Sequence, residues 1–190
     1  MSNYFKAIPN ISYDINGNSP NTFQTATNIM KRPKFKPSVI SEITDYYPYR
    51  VKDGYRPDMV STEVYDTPSY AYLILMFNDI YDPVFDWPLG LTQFDKYIVS
   101  KYGSMDSAIT TVKYYYQIIR AEIQRTGISE RVPAVKYIID ETAYNELGAD
   151  EKTTISQYDW EFELNDEKTE LQMIDPGIIQ DVDYEVKRMF

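Results

Sequence analysis

The sequence contains no cysteine and no histidine. These two absences exclude cysteine nucleophiles, Ser-His-Asp triads, disulfides and the commonest zinc sites. Glycine is also scarce: there are seven glycines, and none has the spacing of a phosphate-binding loop. Nucleotide binding therefore has no support in the sequence, and we expect no cofactor.

Long apolar runs are missing as well. The run at 70–77 opens the stretch YAYLILMFNDIYDPVFDW and ends at Asn78. A membrane-spanning helix needs roughly 20 consecutive apolar residues, so this run predicts a buried helix instead. The N-terminus, MSNYFKAIPNISYD, lacks the basic-then-apolar pattern of a secretory signal. We expect no membrane partner, and a protein made and used in the cytoplasm or in an assembly built there.

Charge is abundant but unevenly spread. The net charge of the chain is −10, and residues 140–190 contain 15 acids and 4 bases, a net of −11. The rest of the chain is therefore close to neutral. Such a balance argues against binding of nucleic acid by the whole surface, because phosphate repels it.

A basic cluster, KRPKFKP at 31–37, lies in the N-terminal part and contains Lys31, Arg32, Lys34 and Lys36. It has two interpretations. It is a solvated loop that aids solubility, or it is an electrostatic anchor for an acidic partner such as the C-terminal third of a neighbouring copy or another protein.

Tyrosine is the most unusual component, with 19 residues in a chain of 190. Tyrosine lines the edges of cores, and it is also enriched at protein–protein interfaces. Both interpretations stay open at this stage.

The patterning divides the chain into four segments. Residues 1–47 are rich in Asn, Ser and Pro and predict an extended arm with short structured pieces. Residues 48–92 predict a strand at 49–52, a turn at Asp53-Gly54, a helix from Pro57, a helix over 68–77 after the cap Thr67, and a second strand after Asn78.

Residues 93–131 predict a helical region. A first helix ends at Gly103, and Ser104 caps a second helix that ends at Gly127. The second helix is predicted from the spacing of Ile109, Val112, Tyr116, Ile119 and Ile123. We interpret this stripe as core packing, although the same stripe would also serve a partner helix.

Residues 132–190 predict an acidic α/β region. VPAVKYIID at 132–140 indicates a strand, ETAYNEL a short turn or helix, and 150–165 an acidic helix carrying Ile155, Tyr158 and Phe162 on one face. LQMID indicates a short strand. Asp175-Pro176 then caps a final helix with Ile179, Val182, Val186 and Met189 on one face. The chain as a whole is predicted to be α+β.

Three aspartates, Asp79, Asp82 and Asp86, have the spacing from which a cation site or an acid–base pair could be built, whereas the acidic run 159–170 indicates a solvated helix face or a partner surface. A calcium loop would need a central glycine and a late glutamate, which are absent. A glycosidase pair would need two carboxyls held across a sugar, which a sequence cannot show. Asp before Pro and Asp after Asn are common in turns, so we predict turn and cap roles, no catalytic residues and no metal site.

Two resemblances draw on these residues. The segment 48–92 resembles a LysM module, which is a β-α-α-β unit whose members commonly bind N-acetylglucosamine polymers. The positions that carry this resemblance are Val51, Gly54, Pro57, Val64, Tyr65, Pro68, Leu75, Asn78, Asp82 and Pro83.

The longer segment 56–103 resembles the baseplate wedge protein of contractile-tailed phages. The matching positions are Tyr65, Pro68, Tyr70, Leu73, Leu75, Asn78, Asp79, Tyr81, Asp82, Pro83 and Trp87, followed by the KYG that ends a helix. Tyr72 departs from the tryptophan that sometimes follows the proline. The block YDWEFELNDEKTELQMID at 158–175 resembles a second block of the family, in a more acidic form.

The resemblance implies a structural role in the virion, in a tail baseplate assembled in the host cytoplasm. The family joins neighbouring wedges into a ring around the central hub, in multiple copies. It contacts other wedge proteins, with hub and sheath-initiator proteins as further candidates. For this chain we predict contact residues among Tyr81, Phe85, Trp87 and the basic cluster. The alternatives are a peptidoglycan-binding LysM module and a lytic enzyme of the tail.

Overall fold

The computed structural model describes residues 8–14, 23–28, 30, 34–35, 45–124 and 131–188. It combines helices with small antiparallel sheets, which confirms the predicted α+β class. The chain forms two compact units. The first contains residues 1–88 and 168–190, and the second contains residues 89–167.

The strands are β1 (Asn10–Asp14), β2 (Phe23–Thr27), β3 (Tyr46–Arg50), β4 (Val112–Arg120), β5 (Ile123–Gln124), β6 (Arg131–Val132), β7 (Val135–Ile139), β8 (Lys152–Ser156) and β9 (Glu170–Ile174). The α-helices are α1 (Pro57–Tyr65), α2 (Ala71–Phe77), α3 (Leu91–Tyr102), α4 (Met105–Thr110), α5 (Glu141–Glu146), α6 (Gln157–Glu167) and α7 (Ile179–Arg188). Short 3₁₀ helices cover Pro68–Tyr70 and Ala149–Glu151.

The first unit is organised around the antiparallel pair β3–β9, which runs from Tyr46 opposite Ile174 to Arg50 opposite Glu170. The predicted second strand directly after Asn78 is therefore wrong. Residues 79–90 form turns instead, and the partner of β3 comes from the far side of the second unit in sequence. The reason is burial: Leu171, Met173 and Ile174 of β9 are fully enclosed, whereas most residues of 79–86 are exposed.

Two apolar clusters lie against this strand pair. One contains Phe35, Leu73, Phe77, Ile174, Ile179 and Val186. The other contains Val51, Val60, Ile74, Trp87, Leu171 and Met173. Because α2 contributes to both clusters, it needs apolar residues nearly all round, as its sequence has.

The helix starts of this unit follow the predicted local signals. Pro57 occupies the first turn of α1, where its missing N–H costs nothing. Thr67 caps the 3₁₀ turn, and its Oγ1 accepts a hydrogen bond from the Ser69 N–H at 3.3 Å. Gly54 adopts φ +70° in the turn after β3, a conformation that favours glycine. These predictions are confirmed.

Within the predicted N-terminal arm, the described residues include the antiparallel pair β1–β2, with Asn10 opposite Thr27 and Asp14 opposite Phe23. All but one of the residues in these two strands are exposed. Phe35, in contrast, is buried, and its ring meets the edge of Phe77 with centroids 6.0 Å apart. The arm itself remains a prediction for the residues in between.

In the second unit, β7, β4 and β8 form an antiparallel sheet with β4 in the centre. The helix predicted from Ser104 ends at Thr110, so that prediction is wrong over β4 and β5. The run VKYYYQII consists mainly of β-branched and aromatic residues, which pack well on a pleated sheet and lose side-chain freedom in a helix. Gly127, its predicted terminator, lies outside the described residues. The Gly103 helix end and the Ser104 cap are confirmed.

The acidic helix predicted over 150–165 is wrong in its first half. Lys152–Ser156 form β8, and α6 begins at Gln157, so Ile155 lies on a strand while Tyr158 and Phe162 lie on the helix. The helix α6 packs over one face of the sheet, where Trp160 contacts Tyr114 at 5.0 Å between ring centroids. The predicted strand near 132–140, the short helix α5 and the strand β9 are confirmed. The final helix α7 is also confirmed, but it begins at Ile179, so the predicted cap at Asp175-Pro176 is wrong. Asp175 closes the preceding turn instead, where its Oδ1 accepts a hydrogen bond from the Gly177 N–H at 2.7 Å. Met189 lies outside the described residues.

The Asn78→Ala variant tests how the first unit is closed. The Asn78 amide donates to the carbonyls of Ile74 and Gln172, both at 2.9 Å, and accepts from the Gln172 N–H at 2.7 Å. It thereby ties the end of α2 to β9. Losing these three hydrogen bonds should lower the free energy of unfolding by about 2 kcal/mol in a urea titration followed by tryptophan fluorescence.

The control is Asn145→Ala, which removes an exposed asparagine from α5 in the second unit. It should change the same free energy by less than about 0.5 kcal/mol. Equal effects of the two substitutions would contradict the role given to Asn78.

Candidate interaction surfaces

The segment between α2 and Trp87 is a turn fixed by two carboxylates. The Asp82 Oδ1 accepts hydrogen bonds from the N–H groups of Val84 at 2.8 Å and Phe85 at 3.3 Å. The Asp86 Oδ2 accepts from the Asp82 N–H at 3.0 Å, and the Asp86 N–H donates to the Asp82 carbonyl at 2.8 Å. Aspartate commonly closes turns in this way, so Asp82 and Asp86 act on the backbone of their own loop.

This turn, residues 82–86, has two apolar side chains that are exposed to solvent. Val84 is 68% exposed and Phe85 is 74% exposed, although both residues have their N–H groups fixed by Asp82. The Phe85 carbonyl also accepts a hydrogen bond from the Lys168 ammonium at 2.7 Å. A side chain held on a rigid backbone loses little conformational entropy on binding, which favours a contact role for this turn.

The predicted contact aromatics separate into two groups. Phe85 and Tyr81 are exposed, and the Tyr81 hydroxyl donates to Asp79 at 3.3 Å. Trp87 is only 5% exposed, and its indole N–H donates to the Tyr55 carbonyl at 2.7 Å. The prediction of a contact role for Trp87 is therefore wrong, because its ring is enclosed in the core of the first unit.

The residues that carried the LysM resemblance are mostly structural. Val51 is buried, and Val64 and Leu75 are half-buried against the same cluster. The Tyr65 hydroxyl donates to the Ile174 carbonyl at 2.9 Å, and burial raises the pKa of Tyr65. Pro68 begins the 3₁₀ turn, and Pro83 lies in the turn closed by Asp82.

Of the predicted basic cluster, only Lys34 lies among the described residues; Lys31, Arg32 and Lys36 lie outside them. The Lys34 ammonium is 3.0 Å from Asp79 Oδ1 and lies over the Tyr81 ring, 5.7 Å from its centroid. The hydrogen bonds to Tyr81 and Asp79 raise the pKa of Lys34. Lys34 is thus joined to the segment that precedes the exposed turn.

A buried carboxylate in α6 was not predicted, yet the structure has one at Glu161. Its carboxylate accepts hydrogen bonds from the hydroxyls of Tyr97 at 2.8 Å and Tyr102 at 2.7 Å, and from the Lys101 ammonium at 2.8 Å. Burial alone would raise the pKa of Glu161, but the three donors outweigh it and the pKa is lowered. Burial and the bond to Glu161 raise the pKa of Tyr102 to about 12.

This cluster fastens α6 to α3 in the second unit. Next to it, Phe94, Ile98 and Ala108 form the apolar core of the unit. A signal for the cluster was present in the sequence, because Tyr97 and Lys101 are four residues apart on one helix face. The acidic run of α6 nevertheless resembles a wholly solvated face.

Within the part of the chain that the structure describes, no group of three or more acidic side chains is arranged to hold a metal ion. Over the same residues, no helix has the length and apolar character that crossing a membrane requires. The helix α2, from the apolar run at 70–77, has only seven residues.

The sequence matches the model of a known protein family. The model of the family described as "Base plate wedge protein 53" matches residues 1–125, about two thirds of the chain. The chain belongs to this family. No curated protein matches the chain.

Membership in the wedge protein family confirms the resemblance drawn from residues 56–103, which lie within the match. It places the protein in the tail baseplate of a phage virion and gives it a structural role among other baseplate components. The block at 158–175 lies beyond the matched residues, so its resemblance stays a prediction. The LysM-like character of 48–92 also stays a prediction.

The Glu161 cluster predicts a pH dependence of the second unit. Because the pKa of Glu161 is lowered on folding, its contribution is complete above its unfolded value of about 4.3 and is lost as the pH falls through the folded value. The Glu161→Gln variant should be less stable by roughly 2 kcal/mol at pH 7 in thermal and urea unfolding.

The difference between wild type and Glu161→Gln should shrink as the pH falls below about 4.3. Glu163→Gln is the matched control, since Glu163 is an exposed glutamate of the same helix. A constant difference between pH 7 and pH 3 would contradict the assignment.

Proposed function

We propose that this wedge protein joins adjacent wedges of the baseplate into a ring around the central hub through protein–protein contacts. Family membership supports the baseplate part of this proposal. The observation that carries the joining role is the rigid turn at 82–86, which exposes Val84 and Phe85 while Asp82 and Asp86 fix its backbone. Apolar side chains on a preorganised backbone are what a lasting protein contact uses.

The distribution of charge gives further support. Residues 140–190 have a net charge of −11, and the basic cluster at 31–37 has four cations. Opposite charges on separate parts of a chain favour contacts with more than one neighbour. We infer that other wedge proteins and neighbouring wedges are the main partners, with hub and sheath-initiator proteins as further candidates.

A non-catalytic role is part of the proposal. The three aspartates that could have suggested chemistry have structural partners: Asp82 and Asp86 cap backbone N–H groups, and Asp79 pairs with Lys34. A general acid or base must instead be directed at a substrate. Carboxylates that are used to fix a turn and an ion pair support an assembly protein over a lytic enzyme.

Glycan binding by the segment 48–92 is the competing proposal. A groove of about 380 Å³ does occur, but Tyr116, Lys136, Thr154, Ile155, Asp159, Phe162 and Glu163 line it, and all of these belong to the second unit. Pull-down on purified peptidoglycan separates the two proposals. Saturable binding that is lost on substitution within 48–92 would favour the glycan proposal.

The Phe85→Ala variant tests the joining role. Truncation removes an exposed ring and leaves the main-chain hydrogen bonds of the turn in place, so stability should change by less than about 0.5 kcal/mol. Co-expressed with the other wedge components, the variant should give roughly tenfold fewer closed rings by electron microscopy, with single wedges accumulating.

Tyr184→Ala is the matched control, since Tyr184 is a 63% exposed aromatic on α7 of the same unit. It should form rings at the wild-type level. Normal ring closure by Phe85→Ala would remove the observation on which the joining role depends.

A further inference from the structure

The end of one β-hairpin in the second unit is unusually apolar for an exposed surface. We call this feature the distal hairpin; it consists of residues 117–124 and 131–139, which pair as β4 with β7 and as β5 with β6. Five of its large apolar side chains are exposed by more than a third: Ile119, Ile123, Val135, Tyr137 and Ile138. Val135 and Tyr137 lie on one face of β7 and Ile138 lies on the other, so exposed apolar side chains flank this strand on both faces. Exposed apolar side chains that cluster in this way mark an interaction site.

The strand β7 is the outer strand of its sheet, and among the described residues nothing pairs with its second edge. Its sequence, VKYII, has high β-propensity, one charge, and neither glycine nor proline. Proteins normally protect such an edge with charges, prolines or bulges, because it is a template for another strand. An unprotected edge of this kind is therefore suited to being covered by a partner.

Among the described residues of the second unit, the aromatic contacts with the sheet lie away from this edge. Tyr144 of α5 contacts Tyr115 with centroids 4.9 Å apart, and Trp160 of α6 contacts Tyr114 at 5.0 Å. Both contacts lie over the central strand β4. The single charge of β7, Lys136, lies over the Tyr116 ring at 6.0 Å, so it points back across the sheet and does not shield the edge.

The charge of this region selects the kind of partner. The distal hairpin contains three bases (Arg120, Arg131, Lys136) and one acid (Glu122), a net of 3 − 1 = +2 in a chain of net −10. An acidic segment would be attracted to this surface. A second copy that paired through the same edge would bring two hairpins of net charge +2 together, and their repulsion would cost free energy.

We propose that β7 binds an extended, acidic segment of another baseplate protein as an additional strand of the sheet. Such strand addition gains its affinity from main-chain hydrogen bonds and its specificity from alternate side chains. Apolar residues of the partner would lie beside Val135 and Tyr137 on one face of the sheet and beside Ile138 on the other. This inference rests on the proposed role in the baseplate and names the surface and the partner chemistry for it.

Photo-crosslinking in the assembled baseplate tests the proposal. The photoreactive analogue p-benzoylphenylalanine replaces Tyr137 in the full chain, and the crosslinked peptides are identified by mass spectrometry. The expected product joins residue 137 to one acidic segment of another baseplate protein. A product that joins two copies of this chain, or the absence of any intermolecular product, would overturn the proposal.

Hydrogen exchange of the wild-type chain provides a test without any substitution. The amides of β7 should exchange at least tenfold more slowly in the baseplate than in the free chain, because their second edge becomes hydrogen-bonded. Unchanged exchange over 135–139 would overturn strand addition, even if the chain is present in every ring.

A pair of variants separates this inference from the proposed function. Ile138→Lys places a charge on the edge strand, and Ile109→Lys places one on α4, where the exposed fraction is similar, 53% against 58%. Ile138→Lys should lower retention in the baseplate by roughly tenfold while Ile109→Lys does not. Equal retention would overturn the β7 site only. Closed rings that form without the chain would instead overturn the joining role.

Discussion

The pairing of β3 with β9 is the contact on which the first unit depends. The two strands come from segments that are separated by the entire second unit, residues 89–167. Both apolar clusters of the first unit use side chains of β9, and Asn78 ties the end of α2 to the same strand. Without β9, the apolar side chains that α1 and α2 contribute to these clusters would lose part of their cover.

This arrangement makes the second unit an insertion within the first. The first unit continues at Lys168, and the Lys168 ammonium bonds to the Phe85 carbonyl in the exposed turn. The two ends of the second unit are also hydrogen-bonded to each other. The Asn165 side chain accepts a hydrogen bond from the Leu89 N–H at 2.8 Å and donates one to the Leu89 carbonyl at 3.0 Å. Each unit thus closes on its own ends. A protein with two units that each close on their own ends is well suited to contact more than one neighbouring baseplate component.

Local signals in the sequence predicted much of the structure, because they act over a few residues. The helix starts at Pro57, Thr67 and Ser104, the glycines at 54 and 103, and the strands near 135 and 171 appear where the sequence indicates. The strand partner of β3 could not be predicted, because the burial that selects β9 depends on contacts made across the inserted unit. From local signals alone, the residues after Asn78 fit a strand as well as a turn. Only the long-range pairing of β9 with β3 shows that they are a turn.

Two further differences have physical causes. The 3–4 spacing of Ile109, Val112 and Tyr116 fits a helix, yet the aromatic and β-branched content of β4 and its two neighbouring strands favour a sheet. Trp87 belongs to the motif that identified the family, but the role of its ring is to fill a core. The described tyrosines fall into the two groups that their abundance left open. Most are half-buried at the edges of cores, and five are exposed: Tyr13, Tyr46, Tyr81, Tyr137 and Tyr184.

Hydrogen exchange on a chain that ends at Glu167 tests the closure of the first unit most directly. This truncation removes β9 and α7 and leaves residues 1–167 intact. We expect the amides of β3, α1 and α2 to lose their protection, while those of α3 and β4 in the second unit keep it. Full protection of β3, α1 and α2 in the truncated chain would contradict the requirement for β9. It would mean that a strand within residues 78–92 pairs with β3 in its place.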